Sequence, residues 1–190
     1  MVLYHHTSLA HLPWILLQRE LVGTPAKEVS SHLDWPDDFV WVTTNADGDR
    51  TTAVCRQHDI PRIRITLKDD PFEDWALLAA RTAGWSSVHI EALLNSAEKF
   101  NQSPVSWRAA VGPVGLEDNL IALASKTWET KWFEPDSLFD MISEIEPLAP
   151  GVLQFLHKGR LHKAGRKKMI DDLGIERHWY GIKEVEKINA

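Results

Sequence analysis

The chain opens on Val2-Leu3-Tyr4-His5-His6-Thr7-Ser8, a short run that ends in imidazoles and hydroxyls and passes directly into the apolar-periodic stretch Leu9 to Leu21. No other feature restricts the fold as much. A strand whose polar end abuts a helix start sets hydrogen-bonding groups at the rim of a sheet, where small ligands are held. A second strand, Phe39-Val40-Trp41-Val42-Thr43-Thr44-Asn45, ends in the same way. Side-chain alternation puts His5 and Thr7 on one face of the first strand, and Trp41, Thr43 and Asn45 on one face of the second. The expectation is that His5, Thr7, Trp41 and Thr43 point into one cleft.

The remaining pattern alternates strands with helices. Leu9 to Leu21 reads as a helix through Leu12, Ile15 and Leu16, with Ser8 as N-cap and Gly23 as the stop. Residues 24 to 38 carry Pro25, Pro36 and paired acids, the composition of a surface loop that can cover a pocket. Ile63 to Leu67 alternates with Arg62, Arg64 and Thr66 and is expected to be a half-exposed strand. Trp75 to Thr82 and Ser86 to Phe100 read as helices, the second with Ile90, Leu93, Leu94 and Ala97 on one side. Val105 to Val111 and Leu120 to Ser125 complete the strands, joined by a turn over Gly112 to Asp118. From Glu134 the pattern is helical. The expected class is α+β, a sheet-based core over residues 1–133 followed by a helical, basic extension over 134–190.

At 190 residues and 44% hydrophobic the chain suffices for one packed domain with an appendage, since a domain takes about 100–200 residues. Its single cysteine, Cys55, cannot close an intramolecular disulfide. The amino terminus lacks a basic region followed by a long apolar stretch, and no segment approaches the ~18 apolar residues of a membrane span. A cytoplasmic setting without membrane contact is the expectation. Nine tryptophans are assigned to core or pocket walls.

Charge is uneven. Lys158, Arg160, Lys163, Arg166, Lys167 and Lys168 form a band without acids, which leaves 15 of the 21 lysines and arginines to balance 27 acids elsewhere. Such a band can neutralise phosphates, with His178-Trp179-Tyr180 nearby to stack on bases, or it can be a solvated helix face. It is the candidate nucleic-acid-binding surface.

The usual catalytic signatures are missing. There is no G-x-S-x-G elbow, P-loop, G-x-G-x-x-G or H-E-x-x-H in the sequence. Asp47-x-Asp49 lies in turn chemistry and lacks the further acids of a calcium loop, so no metal site is expected. What the residues support is chemistry by positioning and charge stabilisation. The candidate set is His5, Thr7, Thr43 and Asn45 with aromatic walls from Tyr4, Trp41 and Trp107, plus a later carboxylate, Glu117.

Tyr4-His5-x-Thr7-Ser8 before an apolar helix, then Trp41-x-Thr43-x-Asn45 on a strand, resembles the ADP-ribosyltransferase fold as found in DNA-targeting ADP-ribosyltransferase toxins. The chain is also similar to a group of bacterial and phage proteins with a W-x-[ST]-x-N strand and a later W-R…P-V segment, matched by Trp107-Arg108 and Pro113-Val114. The resemblance covers residues 1 to 132. It implies a split β-sheet core that binds NAD+ through Tyr4, His5, Thr7, Trp41, Thr43 and Asn45 and transfers ADP-ribose to a protein or nucleic acid. His5 would hold the nicotinamide ribose, and Glu117 would be the catalytic glutamate, with Glu129 as its competitor. The middle tyrosine of the family's His-Tyr-Glu triad has no match here. Two alternatives therefore stay open: a non-catalytic nucleotide- or nucleic-acid-binding module on the same fold, and an interaction protein of a phage or defence system.

Overall fold

The structure, a computed structural model, describes residues 1–126 apart from 9–10, 13–14, 16–18, 24–25, 27–28, 31, 37–38 and 57–61. The expected extension with its basic band lies outside the described residues, as does Glu129. Strands β1 (Val2–Ser8), β2 (Glu20–Leu21), β3 (Phe39–Thr43), β4 (Arg62–Lys68), β5 (Glu73–Asp74), β6 (Trp107–Val111), β7 (Val114–Gly115) and β8 (Leu120–Lys126) accompany helices α1 (Ala53–Arg56), α2 (Trp75–Arg81), α3 (Ser87–Lys99) and α4 (Leu116–Asn119). Six strands form one antiparallel sheet in the order β5-β6-β3-β1-β4-β8, and β2 pairs with β7. The class is mixed α+β, as the sequence pattern indicated.

Each face of the sheet carries its own core. Leu3, Val40, Val42, Ile63, Ile65 and Leu67 pack on one side with Leu12, Leu21 and Leu116. Phe39, Trp107 and Ala109 pack on the other under α2 and α3, against Trp35, Trp75, Leu78, Leu93 and Ala97. Burial on both faces explains β4. Arg64 lies 5.4 Å from the Tyr4 ring centroid and donates to the Ala46 carbonyl at 3.2 Å, and Arg64 and Thr66 are each only 8% exposed. The half-exposed strand expected from its alternation is thereby corrected: tertiary cover reaches the polar face too.

Local chemistry sets the helix limits. Asp74 caps α2 by accepting from Ala76 N at 3.0 Å and Leu77 N at 3.2 Å. At the start of α3, His89 Nδ1 accepts from Ser86 N at 3.1 Å while Nε2 donates to the Asp34 carbonyl at 3.0 Å, tying the helix to the loop before β3. Leu93 and Ala97 face the core, but Leu94 is 43% exposed. One residue beyond Leu93, it turns a further ~100° away from the core, so the four-residue apolar face is really three.

The expected helix over 9–21 also needs correction at its end. Leu12 and Ile15 are helical, but Arg19 has φ 56 and Glu20–Leu21 pairs with Val114–Gly115. Leu116 N donates to the Arg19 carbonyl at 2.7 Å and closes that junction. The stretch expected as a plain turn after β6 thus contains β7 and α4. Among the described residues, no helix is long and apolar enough to cross a membrane.

Candidate functional site

The sheet opens between β1 and β3. Along β1, seven residues pair with β4, whereas Tyr4↔Thr43 is the one pair with β3. Beyond it the two strands separate, and a cleft of about 390 Å³ lies along the seam. That volume suits a small ligand. Tyr4, His5, Thr7, Trp41 and Thr43 all line it.

They do not line it from one face. Residues paired across an antiparallel ladder share a face, so Tyr4 lies with Thr43 and Trp41, and His5 and Thr7 lie on the opposite side. His5, Thr7, Trp41 and Thr43, expected in one cleft, all line it, but from opposite faces of the sheet. Register between two strands is a tertiary property, which the alternation within each strand does not fix. The residues meet because the seam cuts through the sheet and exposes both faces to one cavity.

His5 occupies the opened ladder. Its Nδ1 lies 2.9 Å from the carbonyl oxygen of Trp41. A carbonyl can only accept, so Nδ1 carries the proton. Burial lowers the His5 pKa, outweighing the raising effect of that bond, and the ring is neutral. Nε2 is therefore a lone-pair acceptor with no partner among the described residues. Thr7 is 6% exposed and shares a 3.3 Å hydrogen bond with His11 Nδ1 in the same cleft.

The loop after β3 forms the opposite wall. Thr43 Oγ1 accepts from Asn45 N at 3.1 Å, Asn45 Oδ1 accepts from Asp47 N at 3.0 Å, and Asn45 Nδ2 donates to Gly48 O at 2.7 Å. Asn45 thus uses its side-chain amide to build a turn. It does not line the cleft, contrary to its expected ligand contact. His6 Nε2 donates to the Asn45 carbonyl at 3.3 Å, and burial, with the Arg62 charge second, lowers its pKa to about 3. Asp49, 5% exposed, accepts from Thr51 N at 2.9 Å, from Thr51 Oγ1 at 2.6 Å and from Trp107 Nε1. It pins the loop to β6.

Gly48 permits this fold of the loop. Its φ is +90°, and an added Cβ would stand 2.5 Å from Cys55 Sγ and 3.3 Å from the His6 ring. Gly48→Ala should destabilise the protein by about 2–3 kcal/mol, from backbone strain and overpacking together. Urea unfolding checks this, with the midpoint falling and the slope unchanged.

Glu117 is not in the cleft. It is exposed on the single turn of α4 and absent from the lining, because β7 and α4 carry it away from the seam. The carboxylates that do line the cleft are Glu20 and Asp49, with His11, Thr51 and Thr52 as further polar groups. Sequence reasoning missed all five. Asp49 carried one signal, its place in the polar turn after β3; Glu20 carried none, since its position follows from the β2–β7 pairing. Unlike Asp49, Glu20 has no hydrogen-bond or ion-pair partner among the described residues. Those residues also contain no group of three or more His, Cys, Asp or Glu able to hold a metal ion. No protein-family model matches the chain, and neither a curated protein nor a solved structure was found that matches it.

Proposed function

We propose that this protein binds NAD+ in the seam cleft and transfers its ADP-ribose to a protein or nucleic-acid acceptor. One observation carries the reading: the neutral His5 ring, held by the Trp41 carbonyl, offers Nε2 as a fixed acceptor inside a cleft that cuts the sheet. A ribose hydroxyl is the donor that such a group suits. Tyr4 and Trp41 supply flat walls for a ring, and the hydroxyls of Thr7 and Thr43 lie beside it.

The reaction lengthens the bond between the ribose carbon and nicotinamide and leaves cationic character on the sugar. A negative charge held beside that carbon stabilises it. Glu20 takes this role in place of Glu117, because it lines the cleft and its carboxylate is not used by another contact. Asp49 is unsuited, with its oxygens already accepting three hydrogen bonds.

NAD+ consumption, followed with protein, DNA and RNA supplied as acceptors, tests the proposal. Glu20→Gln should reduce nicotinamide release by ~10²–10³-fold while NAD+ binding persists, since the isostere removes only the charge. Glu117→Gln should turn over like the parent. His5→Ala should weaken binding as well, because its hydrogen bond forms before the transition state. Parental turnover by Glu20→Gln would remove Glu20 from the reaction. A parent that binds NAD+ and never consumes it would be a non-catalytic nucleotide-binding module.

A further inference from the structure

We propose that Arg50, Arg56 and Lys99 form a phosphate-binding subsite beside the seam cleft. Among the described residues the cleft lining has two carboxylates, Glu20 and Asp49, and no lysine or arginine, while burial keeps His5 and His6 from carrying charge. Such a wall offers a phosphate no direct cationic contact, although Arg62 and Arg64 act on His6 from behind it. A ligand that carries phosphates finds direct cationic partners only outside that lining.

Two cationic groups, those of Arg56 and Lys99, share the Phe100 ring next to that wall, and Arg50 adjoins them through its backbone. Arg50 stands between Asp49 and Thr51, and Arg56 ends the helix whose Ala53 and Val54 also line the cleft. The Arg56 guanidinium lies 4.6 Å over the Phe100 ring, and its Nη1 donates to the carbonyls of Arg50 at 2.9 Å and Thr51 at 2.6 Å. Lys99, in the last turn of α3, sets its ammonium 5.4 Å over the same ring. Arg50 N donates to Gln102 Oε1 at 3.4 Å, joining the loop to the end of α3.

None of the three cations has an ion pair among the described residues. Two positive groups over one ring repel each other, and among the described residues no carboxylate relieves them. A bound anion does. The two carbonyls and the ring fix the Arg56 plane in advance, so its remaining N–H groups meet a tetrahedral phosphate in the forked geometry that guanidinium favours. Arg50 and Lys99, both exposed, complete the charge. The phosphate belongs either to the nucleotide whose other end enters the cleft or to a nucleic-acid strand lying across its mouth. The subsite rests on the preceding reading only for the identity of what fills the cleft.

The test uses the full chain and four probes: inorganic pyrophosphate, ADP-ribose, a short fluorescent oligothymidylate, and nicotinamide riboside, which has no phosphate. The principal variant is Arg50→Gln with Lys99→Gln, which leaves Arg56 to anchor its loop; Arg56→Gln is the second. Affinity for pyrophosphate and ADP-ribose should fall about tenfold or more if the phosphate is the nucleotide's. If it is a strand's, the oligothymidylate should lose affinity and its salt slope should fall by about 1.4 for two lost contacts. Either pattern supports the subsite and identifies its source. Unchanged affinity for all three phosphate probes, or no binding of any of them by the parent, would overturn it. Nicotinamide riboside should bind parent and variants alike, and its failure to bind with the phosphate effects intact would count against the cleft reading alone.

Discussion

Stability should fall steadily as the pH drops below about 6.5, before the carboxylates begin to be protonated. Between pH 6.5 and about 3 the His6 ring alone is expected to withdraw about 3–5 kcal/mol of stability, at up to about 1.4 kcal/mol per pH unit. The sign follows from burial. His6 titrates near 6.5 when unfolded and at about 3 when folded, chiefly because the folded ring is desolvated and secondarily because Arg62 stands near it. Over that interval the unfolded chain binds the proton that the native ring refuses, so stability falls as pH falls. His5 is shifted the same way by burial and steepens the loss. Urea unfolding at pH 7, 6, 5 and 4 measures the slope. His6→Gln should flatten it by about one proton, whatever its effect at pH 7, and a wild-type stability independent of pH across this range would refute the neutral, half-buried pair.

Asp49→Ala should cost about 3–5 kcal/mol. The carboxylate is buried and accepts from Thr51 N, Thr51 Oγ1 and Trp107 Nε1, so its removal leaves three donors without an acceptor and opens a void beside the Trp107 ring. The loop then loses its attachment to β6, and with it the wall that faces His5 across the seam. Asp49→Asn retains the volume and one carbonyl acceptor, and should cost about 1–2 kcal/mol. Urea midpoints for the two variants give the comparison, and near-UV circular dichroism reports the Trp107 environment. Equal stability of Asp49→Ala and the parent would show that the network contributes nothing.

The sequence was informative where structure is local. Strands β1 and β3, with helices α2 and α3, follow from alternation and helical spacing. Tertiary pairing decided the rest. Helical periodicity over 9–21 gives no sign that Glu20–Leu21 pairs with Val114–Gly115, so the cleft carboxylate at Glu20 was hidden and Glu117 stood in its place. Arg64 looked solvent-facing because its strand alternates, yet the Tyr4 ring and the Ala46 carbonyl meet it and it is 8% exposed. Alternation within each strand left open how the faces of β1 and β3 relate: the polar strand ends at His5, Thr7 and Thr43 line one cleft from opposite faces of the sheet, and only the register reveals it. Asn45 shared that polar pattern for a different reason, as the builder of a turn.

NAD+ binding at His5 is read from its imidazole nitrogens by ¹⁵N NMR on histidine-labelled protein during titration with NAD+ at neutral pH. The expected result is a neutral ring in the free protein with the proton on Nδ1, where the Trp41 carbonyl holds it, and a saturable upfield shift of Nε2 as it accepts a ribose hydroxyl. A ring protonated on Nε2, or an Nε2 resonance unmoved at NAD+ concentrations that saturate binding, would contradict it.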